Sequence, residues 1–140
     1  MRNSDISLLQ RAKNNLFTAQ TIISVGGDDG ITDIAAYHCQ QCVELSVKYM
    51  ILEQGDSYAN THVTSDYCED LNDPEIKALA LAIAGRIDRW ATSIRYSQTI
   101  LTNKKMVQEV IVECEKIISL CEARSSKKES NPKPLERFNK

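Results

Sequence analysis

Two histidines, five cysteines and a few clustered arginines bound the chemistry open to this 140-residue chain. His38 and Gln41 sit in Ala35-Ala36-Tyr37-His38-Cys39-Gln40-Gln41-Cys42-Val43-Glu44-Leu45, a stretch otherwise apolar enough to be a core helix. An imidazole moves protons near neutral pH, and both it and a carboxamide can hydrogen-bond a base or a sugar. Their spacing of three puts both side chains on one helical face. The plainer reading of His38 is a core histidine bonded to a neighbouring helix, because buried polar groups must find partners. Gln40, Glu44 and Lys48 recur every four residues and read as a solvated or dimer-facing stripe, with Glu44 placed favourably before Lys48. Arg86 and Arg89 flank Asp88, a pattern that fits a surface ion-pair network better than a phosphate site.

The cysteines invite metal or redox chemistry, since Cys39 and Cys42 form C-x-x-C. No second C-x-x-C or Cys/His pair stands at zinc-ribbon distance, and Cys114 and Cys121 fall in register with Val107, Val110 and Ile117. All five are therefore expected to be small core residues, with no metal and no cofactor. The run Val25-Gly26-Gly27-Asp28-Asp29-Gly30 lacks the lysine and hydroxyl residue of a phosphate loop and the spaced oxygens of a calcium loop. It reads as a turn.

Composition narrows the class. The chain is 42% hydrophobic with five glycines and three prolines, which favours one compact helical domain. The longest apolar run, Ala78 to Ala84, is far short of the ~18 residues that span a bilayer, and the N-terminus lacks a secretory core, so a cytoplasmic protein is expected. Net charge is −2, yet residues 124–140 hold six Lys/Arg against two Glu, leaving 1–123 at −6. An acidic body disfavours a broad nucleic-acid-binding face, because such binding rests on neutralising phosphates. Residues 125–140, polar and punctuated by Pro132 and Pro134, are expected to be a flexible basic tail with at most a weak RNA contact.

Four long segments carry helical periodicity. Leu9, Ala12, Leu16, Ala19 and Ile23 mark the first, after a Ser4 cap; Ile34, His38, Cys42, Leu45, Tyr49 and Leu52 mark the second, which Gly55 ends. Asp73-Pro74 opens a third, with Ile76, Leu79, Ile83, Ile87, Trp90 and Ile94; the last starts near Thr102. Residues 61–71 suit a shorter helix. The expected fold is all-α, an up-and-down bundle of four to five helices over 1–124. Ala35, Cys39, Val43 and Met50 lie beside the main stripe of the second helix, more apolar surface than one bundle core is expected to absorb. A two-fold dimer is expected to hide it.

The second helix resembles the HEPN domain. That family typically reads A-x-x-H-x-Q-Q-x-V-E-K-x-x-K, a glycine, then T-H-x-L; here the stretch Ala36 to Ile51, then Gly55 and Thr61-His62, carries the likeness, while Val63-Thr64 stands where the family prefers Asp-Leu. Ser93-Ile94-Arg95-Tyr96 sits where an Ala-Arg-Tyr is frequent, and the likeness spans residues 4–124. The resemblance implies a HEPN-like bundle that commonly dimerises, and a link to nucleotides or RNA. Many members are ribonuclease toxins of toxin–antitoxin pairs, partnered by a small nucleotidyltransferase. Their signature is an arginine, four to six residues, then a histidine.

Neither His38 nor His62 has an arginine five to seven positions before it. Arg89 to Tyr96 reads like R-x4-H-x-Y with Ile94 in the histidine place, and isoleucine transfers no proton. The expectation is a non-catalytic homodimeric module partnering a nucleotidyltransferase-type protein and binding a nucleotide. By resemblance, His38, Gln41, Arg95 and Tyr96 form its polar pocket, with Arg89 as a phosphate contact. A divergent ribonuclease toxin and a purely structural helical adaptor are the alternatives.

Overall fold

The computed structural model describes residues 3–27, 29–58, 64–96 and 102–129, with side chains at 8–27, 30–58, 65–87 and 102–125. Five helices follow one another: α1 (Asn3–Val25), α2 (Asp29–Glu53), α3 (Thr64–Cys68), α4 (Pro74–Tyr96) and α5 (Lys104–Glu129). No strand occurs among the described residues, and the all-α bundle stands.

Local chemistry sets the boundaries. Gly26 takes φ 80°, where only glycine is at ease, and turns the chain between α1 and α2. A side chain at Gly27 would meet Ile31 at 2.8 Å. Gly55, at φ 94°, ends α2 in a Schellman motif: its N–H bonds to the Leu52 carbonyl, and that of Asp56 to Ile51. Asp73 caps α4, its Oδ1 accepting from the N–H groups of Glu75 (3.1 Å) and Ile76 (3.0 Å). α1 begins at Asn3 and so includes Ser4, which is not its cap. α5 starts two residues after Thr102, with Asn103 Oδ1 accepting from Met106 N–H. It runs on to Glu129, past the expected end of the bundle, and Tyr49 donates a 2.7 Å hydrogen bond to Ser125. Residues 130–140, Thr61 to Val63, and the side chains of Ser4, Asp88, Arg89, Trp90 and Ile94 lie outside what the structure describes.

α2 is the centre. It packs on α1, α3, α4 and α5, whereas α1 and α4 do not touch among the described residues. α5 runs parallel to α2, and the hydroxyl of Thr102, just before α5, donates to Asp33 at one end. α1 lies antiparallel to α5, clamped by Lys13–Glu122 and Gln20–Glu115; α4 does likewise through Arg124–Asp73 and Arg86–Glu113.

A central helix changes what its sequence pattern means. Ala35, Cys39 and Val43 are fully buried and Met50 nearly so, within one chain. They need no second copy to cover them, so they do not argue for a dimer. Ile34, expected on the buried stripe, is instead 48% exposed. The stripes of α4 (Ile76, Ile83, Ile87) and α5 (Val107, Val110, Cys114, Ile117, Cys121) are buried as the periodicity predicts.

Candidate functional site

α2 presents its polar groups to two different places. His38 faces α1, where its Nδ1 lies 2.7 Å from Asn15 Oδ1. Asn15 donates its own amide to the Arg11 carbonyl, which orients the carboxamide and leaves Oδ1 as acceptor. The proton of neutral His38 therefore sits on Nδ1. Partial burial pushes the imidazole pKa down, so the ring is neutral at physiological pH. Tyr37 meets it edge-on, centroids 5.4 Å apart.

The second place is a ladder along α2. Gln41 Nε2 donates to Gln40 Oε1 (2.8 Å), Gln40 Nε2 to Glu44 Oε1 (2.8 Å), and Lys48 Nζ to Glu44 Oε2 (2.9 Å). Gln40 is 1% exposed and Glu44 4%. These residues are not a solvated or dimer-facing stripe: α2 is wrapped on that side as well, and the ladder satisfies its members internally. Lys48 ends it beneath two aromatic rings, 4.9 Å from the centroid of Tyr58 and 5.1 Å from that of Tyr67. Burial alone would lower its pKa; the hydrogen bond and charge of Glu44, with Tyr67, outweigh that and raise it. The ammonium stays charged.

Behind α2 lie the thiols. Cys39, Cys42, Cys68, Cys114 and Cys121 are all free and buried. Cys114 Sγ points at the Cys39 carbonyl (3.7 Å), and its closeness to Cys39 and Cys42 together with burial holds its pKa well above the ordinary thiol value. Burial does the same to Cys121. Such thiols are packing groups, because reactivity belongs to the thiolate. Among the described residues no His, Cys, Asp or Glu group has the arrangement to hold a metal ion. Arg86 bonds Glu113 across to α5 at 2.6 Å, the structural role its sequence neighbourhood suggested.

Of the sequence candidates, His38 and Gln41 share a face of α2 but hold different partners. Arg89, Arg95 and Tyr96 lie on the α4 backbone, and their side chains are outside the described residues. The register of the helices still bears on them. Cys114 contacts the carbonyl of Cys39, and neighbouring Glu113 pairs with Arg86, so Arg86 is level with His38. Along α4, Arg89 is one turn further and Arg95 nine residues further, ~14 Å of helix axis, beside the first turns of α2. The ladder residues Gln40, Glu44 and Lys48 are what sequence reasoning missed. The signal was present in the four-residue spacing but read with the wrong exposure.

No helix among the described residues is long and apolar enough to cross a membrane. No curated protein matches the chain. Among solved structures it is similar to that of TT1696 from Thermus thermophilus, with a TM-score of 0.67 and 21% identity over 87% of this chain and 98% of that one, a likeness of fold. The HEPN domain model matches residues 7–124, from the first turns of α1 to the paired Arg124 of α5. Bundle, central His-Gln-Gln helix and matched span agree: the chain belongs to the HEPN domain family.

Proposed function

We propose that this HEPN protein is a non-catalytic interaction module, a cytoplasmic homodimer that partners a nucleotidyltransferase-type protein and holds a nucleotide. The observation that carries the reading is the His38–Asn15 hydrogen bond. The histidine of the family motif is bound into the α1/α2 seam, kept neutral, and has no arginine at ribonuclease spacing. That is the environment of a positioned acceptor rather than of a group cycling its proton through a reaction.

Support for a ligand comes from what His38 and Gln41 leave over. Among the described residues nothing bonds to His38 Nε2 or donates to Gln41 Oε1. Two acceptors one turn apart suit the donors of a nucleotide, an exocyclic amine or ribose hydroxyls. Arg95 and Tyr96 would meet a ligand extending toward the start of α2, and Arg89, the nearer arginine, would take a phosphate. The dimer draws on exposed apolar groups, Ile34 and Tyr37 on α2 and Phe17 on α1.

Calorimetric titration with adenine and guanine nucleotides tests this. A saturable heat is expected, weakened by His38→Ala and abolished by Arg95→Ala with little change in melting temperature. No heat with any nucleotide, or tight binding that survives both substitutions, discards the site.

A further inference from the structure

Two hydrogen-bond chains end at neighbouring residues of α2, and each has its polarity fixed from the far end. Along the ladder, the Lys48 ammonium can only donate and the Glu44 carboxylate can only accept. Gln40 must therefore turn Nε2 to Glu44 and Oε1 to Gln41. Gln41 in turn gives Nε2 to that oxygen, and its own Oε1 is the open end. Across the α1/α2 seam the order is the same. The Arg11 carbonyl can only accept, so Asn15 gives it Nδ2 and offers Oδ1 to the Nδ1–H of His38. His38 Nε2 is the open end of that chain.

Both ends are acceptors, and neither turns easily into a donor. Flipping the Gln41 carboxamide would set two oxygens against each other, with Gln40 1% exposed and held by Glu44. Moving the His38 proton to Nε2 would set a bare Nδ1 against Asn15 Oδ1, and partial burial resists a second proton on the ring. His38 and Gln41 stand one turn apart, roughly 5–6 Å between Cβ atoms, and both are half-buried. The pair accommodates two donors side by side.

Among the bases, guanine alone offers them. Its ring N1–H and its exocyclic N2 amine are adjacent on one edge, and the second hydrogen of the amine diverges toward a more distant acceptor. Adenine and cytosine set an amine beside a bare ring nitrogen, and uracil sets one N–H between two carbonyls. Each of these brings an acceptor against an acceptor.

Resting on the nucleotide reading of this face, we propose that it selects guanine, with His38 Nε2 and Gln41 Oε1 as the two acceptors that read the base.

Calorimetric titration of the full chain with the 5′-monophosphates of guanosine, adenosine and inosine tests this. GMP should bind about tenfold more tightly than AMP, a ratio within what one paired contact gives in base discrimination. IMP keeps N1–H and O6 but lacks the amine, so it should lose most of that advantage. Gln41→Met keeps the length of the side chain and removes its acceptor. With the fold verified by circular dichroism, its preference for GMP over AMP should fall to about twofold or less. The three ligands on the unaltered chain decide the matter without the variant. Equal binding of GMP and AMP overturns guanine selectivity and leaves a nucleotide site standing. IMP bound as tightly as GMP, or a preference unchanged in Gln41→Met, overturns the assignment of the two acceptors. No binding of any of the three overturns this inference and the nucleotide reading together.

Discussion

Replacing Glu44 by glutamine changes one charge and almost no volume, and it strikes the middle of the ladder. The Glu44 side chain is 5% exposed and that of Lys48 15%. In the variant, Lys48 keeps its ammonium beneath Tyr58 and Tyr67 but loses the carboxylate that offsets its desolvation. Either it or Gln40 must also face a carboxamide N–H in place of an acceptor. Breaking a buried pair costs roughly 3–5 kcal/mol and leaving a buried donor unmet roughly 1–3. Lys48 retains some access to water, so the lower end applies, about 3 kcal/mol. Urea unfolding followed by circular dichroism should show the midpoint falling by about 1.5–2 M at an unchanged slope. The melting temperature should drop by ~10 °C. Adding Lys48→Met removes the stranded charge, and the two changes should couple by at least ~1.5 kcal/mol. An exposed i,i+4 pair contributes only about 0.3–0.5 kcal/mol. A loss below ~1 kcal/mol for Glu44→Gln would refute the buried ladder and restore the solvated stripe.

Two further outcomes follow from the burial of titratable groups. Burial depresses the His38 pKa, so below ~6.5 the unfolded chain takes up a proton that the folded chain resists. The stability His38 contributes is full above that pH and lost as pH falls through the folded value. Urea midpoints should decline on acidification from pH 8 to 5.5, and His38→Gln should flatten that limb; a midpoint that rises over this range contradicts the assignment. The five thiols are buried, and Cys114 and Cys121 are held in the protonated form. A thiol reagent should titrate almost none in the native protein at pH 8 and all five in guanidinium; fast native reaction of Cys39, Cys42 or Cys114 would contradict the packing role.

Sequence periodicity was a good guide wherever a helix has one inward face. The stripes of α1, α4 and α5 and the burial of all five cysteines were legible because a 3.6-residue repeat reports one buried side. It misled on α2. A helix enclosed by four others buries residues all round, so polar groups at four-residue spacing there are internal, although the same spacing on an outer helix would be solvated. Nothing local could show this, because Tyr58 and Tyr67, which cover Lys48, come from the segment after the Gly55 cap. The partner of His38 was equally out of reach. Asn15 lies 23 residues earlier on another helix, and only the hairpin register brings it across. The family motif named the candidate residues, but its spacing along the chain said nothing of the ~14 Å that separates the levels of Arg95 and His38.

The central claim is that His38 holds position and does not transfer protons. Incubating the purified full-length chain with structured and with single-stranded RNA, and resolving the products on a gel, tests it most directly. The account predicts no cleavage above buffer at any pH between 6 and 8, with or without added nucleotide. Cleavage that is lost in His38→Ala while the fold is retained would contradict it and make the protein a ribonuclease with a divergent site.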